Sequence, residues 1–221
     1  MVKFRIADFS QYMRTSVRYM SSAKKLVNVE NRRRLFGTFY KSKERMFIMA
    51  VYPYKGKAPQ IPSSVFIADY STITGDVIIG ENSSIWFNCT IRGDVAPTII
   101  GEKVNIQDNS VLHQSPGNSL IIEDEVTVGH QVILHSCVIR KKALIGMGSI
   151  ILDKAEIGEG AFIGAGSLVP QGKVIPPNTV AFGRPAKVIR EVNEEDRAEM
   201  IRISKEYAER GLYYQAMQKD K

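Results

Sequence analysis

The amino-acid sequence predicts an all-β body, a parallel β-helix of hexapeptide repeats, followed by a C-terminal α-helix. Three observations carry this. An aliphatic residue recurs every sixth position between Ile61 and Ile175, small residues stand at a fixed offset between these anchors, and the period becomes helical after "GRPAKVIR". At 221 residues, 44% hydrophobic and 24% charged, the chain is long enough for one core with appendages and has a globular composition.

The first element is a basic stretch, residues 1–45. Residues 1–50 hold 12 Lys or Arg against 3 Asp or Glu, whereas residues 51–221 hold 18 against 20. The net charge of +7 therefore resides at the N-terminus, and the body lacks the basic surface that nucleic acid requires. Rich in Arg, Lys and Ser and poor in acids, residues 1–45 read as an upstream extension of a shorter protein starting at Met46 or Met49, with a mitochondrial targeting segment as the alternative. Two cysteines, Cys89 and Cys137, are too few for a disulfide framework and suit a reducing compartment. The expectation is the cytoplasm, or the mitochondrial matrix if residues 1–45 are a targeting segment. No apolar run reaches the length of a membrane span.

The second element, residues 46–190, is the β-helix. Its anchors are Ile61, Ile67, Ile73, Ile79, Ile85 and Ile91; after a three-residue insertion, Ile100, Ile106 and Leu112; after a four-residue insertion, Ile122, Val128 and Leu134. One residue short of the frame follow Ile139, Ile145, Ile151, Ile157, Ile163, Val169 and Ile175. With three hexapeptides to a coil, these anchors fill about six coils spaced like neighbouring strands at roughly 4.8 Å. Four places after the anchors stand small or modest residues such as Val77, Ser83, Cys89, Ser110, Val132, Val138 and Ser149, so Cys89 reads as core, while Cys137 sits where the frame slips. Glycine follows many anchors, as at Gly80, Gly101, Gly129, Gly146, Gly158 and Gly164, where positive φ or close packing excludes a Cβ.

The third element, residues 191–221, is a helix packed on the β-helix. Asn193 is its N-cap, Glu194, Glu195 and Asp196 lie in its first turn, and two apolar stripes follow: Met200, Ile203, Tyr207 and Ala198, Ile201, Ala208, Leu212.

All three histidines, His113, His130 and His135, fall within 23 positions. His113 follows Leu112, and His135 follows Leu134, three hexapeptides on. Both therefore project from one face in adjacent coils, one strand spacing apart, where two imidazoles can share a metal at ~2.0–2.1 Å per bond. Arg92, after Ile91, continues that column one coil earlier. His130 stands two places after Val128, on the preceding face near a corner, with Asp108 below it. A rigid prism keeps His130 from the pair within one chain, whereas copies packed around a threefold axis place one subunit's corner against the next subunit's face. The expected site is thus intersubunit, in a homotrimer. Three imidazoles favour zinc or a neighbouring divalent metal and leave a position open for water. Surface decoration is the better reading for a lone histidine, but not for two stacked by register.

The segments "IRGD" (91–94), "NIQDNSVLH" (105–113) and "VGHQVILH" (128–135), on a hexapeptide β-helix with a C-terminal helix, resemble the γ-class carbonic anhydrases over residues 52–215. The resemblance implies a left-handed coil and a trimer with zinc, or iron or cobalt in its place, between subunits. His113 and His135 would come from one subunit and His130 from the next. The implied activity is reversible hydration of carbon dioxide to bicarbonate by hydroxide generated on the metal. Gln107 would orient that hydroxide and Asn105 would help place it, while Arg92, Asp94 and Asp108 would knit subunits and buttress the site. Two departures bear on turnover. Founding members carry proton-shuttling glutamates where this chain has Val95 and, in "HQSPGNSL", no acid, and "TVAFGRPAK" lacks the tyrosine that many relatives have there. Other functions share parts of the pattern: a hexapeptide acyltransferase or thioesterase, which works with a single histidine base and shares the "GRPAK" ending, and a non-catalytic scaffold that keeps a metal for stability. Neither a nucleic acid nor a membrane partner is expected.

Overall fold

The computed structural model describes residues 40–41, 46–47 and 50–219. The basic stretch expected over residues 1–45 lies outside them, apart from Tyr40–Lys41, which pairs antiparallel with Met46–Phe47. From residue 50 the chain winds into a left-handed parallel β-helix of about seven coils with three flat faces. The first face stacks Ala50–Tyr52, 72–74, 90–92, Val111–His113, Ile133–His135, Ile150–Ile151 and Leu168–Val169. The second stacks 77–79, 98–100, Leu120–Ile122, Val138–Ile139, Glu156–Ile157 and Val174–Ile175. The third stacks Phe66–Ile67, Ser84–Ile85, Asn105–Ile106, Thr127–Val128, Leu144–Ile145, Phe162–Ile163 and Thr179–Gly183, and Ala186–Glu191 turns back antiparallel on the last.

The anchors fall short of this by one coil, and the extra coil is the first. Val51 stacks on Ile73 and packs against the core, yet it lies outside the six-residue frame because a turn closed by Tyr54 and Lys57 intervenes before Ile61. Every anchor after Ile61 is buried, and Ile61 is partly so. Each fully buried aliphatic side chain stabilises the fold by roughly 1.5–3 kcal/mol relative to exposure.

The corners follow a second rule. Three places after an anchor the backbone turns left-handed, usually at a residue other than glycine: Asn88, Asn109 and Gln131 have φ of 60°, 61° and 58°. Asparagine tolerates this region best, and a hydrogen bond to the preceding coil offsets the strain, from Asn109 N–H to Phe87 O and from Gln131 N–H to Asp108 O, both 2.9 Å. The glycines that follow anchors serve closeness rather than φ, since a Cβ on Gly146 would stand 2.5 Å from the backbone nitrogen of Ala165 in the next coil. Small residues then line the interior, and Ser110 Oγ satisfies both Gly129 O at 3.1 Å and Val132 N–H at 3.2 Å. Where the frame loses a residue the corner is shorter, so Cys137 takes the interior place and Val138, expected there, faces outward from its strand.

Helix α1, Glu194–Lys219, lies over the third face against the strands from Phe66–Ile67 to Thr127–Val128. Asn193 Oδ1 accepts from Asp196 N–H at 2.8 Å and Asp196 Oδ2 accepts from Asn193 N–H at 3.0 Å, a reciprocal cap. Of the two expected stripes, Met200, Ile203 and Tyr207 face the sheet, whereas Ala198, Ile201, Ala208 and Leu212 are exposed. At ~100° per residue the second stripe sits roughly 140° around the helix from the first, too far to reach the same flat face. Trp86 anchors the contact, meeting Tyr207 and Tyr214 edge-on at 5.1 and 5.5 Å. Gly211 allows the close approach, since a Cβ there would stand 3.3 Å from Ser84 Cβ. Among the described residues no helix is long and apolar enough to cross a membrane.

Candidate metal centre

Strand register brings His113 and His135 together. The two are paired residues of adjacent coils on the first face, and His113 Nδ1 stands 3.2 Å from His135 Nε2. Each ring's other nitrogen meets a carboxylate: His113 Nε2 lies 3.1 Å from Asp94 Oδ1, and His135 Nδ1 lies 2.9 Å from Asp153 Oδ2. An ionised carboxylate only accepts, so with Asp94 and Asp153 ionised and both rings neutral the protons go to the outer nitrogens and the two inner lone pairs face each other. Such a pair is satisfied only by a cation between the rings, a proton or a metal ion. The spacing suits a metal, because two nitrogens on a tetrahedral zinc with bonds of ~2.0–2.1 Å stand about 3.3 Å apart.

His130 sits elsewhere. It occupies the corner where the third face turns into the first, two places after Val128, held there by the left-handed residue Gln131. Its Nδ1 donates to Asp108 Oδ2 at 2.8 Å, and its Nε2 accepts from the Tyr207 hydroxyl at 3.2 Å. At ~3.3 Å per residue, five residues of chain put His130 up to about 16 Å from His135. Among the described residues no three His, Cys, Asp or Glu side chains converge closely enough within the chain to hold a metal.

The remaining expected site residues divide between these two edges. Arg92 bonds Asp94 through Nη1 at 2.9 Å on the side of the pair. Asn105, Gln107 and Asp108 lie on the side of His130. Asn105 and Gln107 are both buried beside α1, with Gln107 Nε2 donating to Asn105 Oδ1 at 3.1 Å and Asn105 Nδ2 donating to Thr127 Oγ1 at 2.9 Å. This bond uses one of the two Gln107 amide N–H donors and leaves its carbonyl oxygen as an acceptor. Cys89 supports this strand from inside, its thiol 3.1 Å from Gln107 O, and burial pushes that thiol up to about 12, so it stays protonated.

Two residues escaped the sequence reading. Tyr207 belongs to the helix stripe that faces the sheet, and its hydroxyl also reaches His130. Burial first, and the Asp108 charge second, hold its phenol above the usual range. Asp153 stands two places after Ile151, the same offset by which Asp108 follows Ile106, which was the available signal. At the rim of the pair, Val95 is exposed where founding members have a glutamate.

Known proteins place the chain in a class first. A family described as bacterial transferase hexapeptide (six repeats) matches residues 58–93 and 136–171, so this is a hexapeptide-repeat β-helix protein. A Geobacillus kaustophilus protein named carbonic anhydrase is 74% identical over 171 residues, covering 77% of this chain and 94% of its own length. A mitochondrial γ carbonic anhydrase of Arabidopsis thaliana is 38% identical over 157 residues, 68% of this chain and 56% of its own. The chain belongs to the γ-class carbonic anhydrase family. A Bacillus cereus structure solved under an acetyltransferase name is similar too, at 72% identity and a TM-score of 0.75, covering 76% of this chain and 98% of that one.

Proposed function

We propose that the chain is a carbonic anhydrase that hydrates carbon dioxide reversibly to bicarbonate at metal sites formed between the subunits of a homotrimer. The observation that carries this is the facing of His113 Nδ1 and His135 Nε2, each ring pinned by a carboxylate on its far side, with His130 on the opposite edge of the same face. His113 and His135 of one subunit and His130 of the next would hold zinc, or iron or cobalt in its place. Bound there, the metal supplies hydroxide near neutral pH by lowering the pKa of water toward ~7. Asp94 and Asp153 keep the outer nitrogens of the pair protonated, so that its inner lone pairs stay available, and Asp108 does the same for His130 Nδ1, whose Nε2 must give up the Tyr207 hydroxyl to bind. Gln107, braced by Asn105, arrives with His130 and offers its carbonyl oxygen to the nucleophile's hydrogen. Formation of the new C–O bond gives bicarbonate, and the proton taken from water leaves to solvent. Free buried thiols suit the cytoplasm.

The test is zinc analysis of the purified protein, followed by hydration assays with zinc, cobalt or iron(II) installed anaerobically. Roughly one metal per chain with measurable hydration supports the reading, and a metal-free, inactive protein under all three conditions refutes it. A second reading, acyl transfer with His130 as the base oriented by Asp108, gains support from that dyad and from the acetyltransferase name of the similar structure. Saturable coenzyme A binding that survives removal of metal would favour it, or a thioesterase on the same scaffold. Metal retention with neither activity would favour a scaffold.

A further inference from the structure

The four-residue insertion between Leu112 and Ile122 interrupts the repeat directly beside the histidine pair. Ser136 of the next coil orders it: Ser115 N–H donates to Ser136 Oγ at 2.6 Å, and that hydroxyl donates to Asn118 O at 2.9 Å. The insertion also sets the Ser115 side chain next to the Asp153 carboxylate. Asp153 lies in the coil after His135, at the same corner, and its Oδ2 accepts from His135 Nδ1. Asp94 does the corresponding work for His113 from the coils before it, so the pair is bracketed by carboxylates on both sides. Asp153 has little structural reason to exist, since a partly exposed carboxylate at a corner adds little to stability.

We propose that Asp153, braced by Ser115, is the positioning residue that fixes His135 in the Nδ1–H tautomer with Nε2 turned toward His113, so that half of the site is preorganised inside one subunit. This rests on the metal-centre reading. Without Asp153 the His135 ring turns freely and its proton distributes over both nitrogens. The insertion is then what makes the half-site rigid, by holding Ser115 against the carboxylate.

The presence of only three histidines makes a direct test practical. Full-length, metal-free protein with 15N-labelled histidine is studied by long-range 1H–15N correlation at about pH 8.5, two units above the ordinary imidazole pKa. The wild type should show His135 as the Nδ1–H tautomer. Asp153→Ala should show a mixture at His135 with His130 unchanged, and zinc affinity, measured by competition with a chelator, should fall about 10- to 100-fold. Asp153→Asn should fall between, since its carbonyl still accepts from Nδ1–H. Ser115→Ala, a milder change, should shift the same signals less far and covers the case in which Asp153→Ala does not assemble. An unchanged His135 tautomer, or unchanged zinc affinity, in every variant that folds would overturn the proposal. If the tautomer shifts as stated while no form, wild type included, binds zinc, the positioning role stands and the metal reading falls.

Discussion

The two edges of the first face differ in what they leave unsatisfied. At one edge, His113 and His135 turn their inner nitrogens toward each other and their outer nitrogens toward Asp94 and Asp153. At the other, His130 is partnered on both sides by Asp108 and Tyr207, and the buried amides of Asn105 and Gln107 stand next to it. The first edge offers two imidazole nitrogens and lacks a third; the second offers one imidazole beside buried polar amides. Neither edge is a site alone, but each has what the other lacks. In the proposed trimer, cyclic packing would join unlike edges and make three equal sites, each from two incomplete halves.

The sharpest way to break this comparison is to delete ligands from each edge. His113→Ala, His135→Ala and His130→Ala should each lower zinc affinity by more than the ~100-fold expected of an outer partner, as read by chelator competition. Gln107→Ala should keep its zinc while lowering hydration. Equal zinc loss in Gln107→Ala would show that the second edge has been divided wrongly between holding the metal and using it.

A core deletion probes the scaffold that separates the edges. Leu134, fully buried directly before His135, should cost about 2–5 kcal/mol as Leu134→Ala in denaturant unfolding, with metal loss following only through unfolding. A proton acceptor at the rim sharpens the first edge. With Val95 in place, hydration should rise with buffer concentration, and Val95→Glu should weaken that dependence and raise turnover toward the ~100-fold that a positioned acid–base group contributes. Buffer-independent turnover in the wild type would mean that another group already moves the proton.

The smallest effect concerns α1, which carries Tyr207 to the second edge. Asn193→Ala should cost ~1 kcal/mol of stability. The Asp196 carboxyl, held down to about 2 by Arg190 and by the Asn193 N–H, gives a pH signature. Its folded value lies below its unfolded one, so its contribution is complete above the ordinary carboxylate pKa near 3.8 and is lost as pH falls from there toward 2. Helix content followed from pH 5 to pH 2 checks this, and Asp196→Asn should flatten the change.

The sequence made the first edge legible because period and register are the same information: once Leu112 and Leu134 share a column, His113 and His135 must stack. His130 was legible only as far as its corner, since the frame places it away from the pair without saying what it meets. Tyr207 was hidden because a helical stripe reports that a side chain faces inward, not which corner it touches 77 residues away in sequence. The first coil was hidden because Val51 contacts Ile73 across a turn that breaks the repeat, and the fate of Cys137 depended on how a shortened corner closes. In each case the missing fact was set by the third dimension of a corner or a helix, where a one-dimensional period carries no information.

The central claim, that each site is completed by a second subunit, is tested most directly by complementation. His130→Ala and His113→Ala homotrimers should both be metal-poor, because every site in either lacks a ligand. Refolded together they should regain part of their zinc, since some interfaces then join an intact pair to an intact His130, whereas His113→Ala with His135→Ala should regain none. Recovery in neither mixture although mixed trimers form, or recovery in both, would contradict the account.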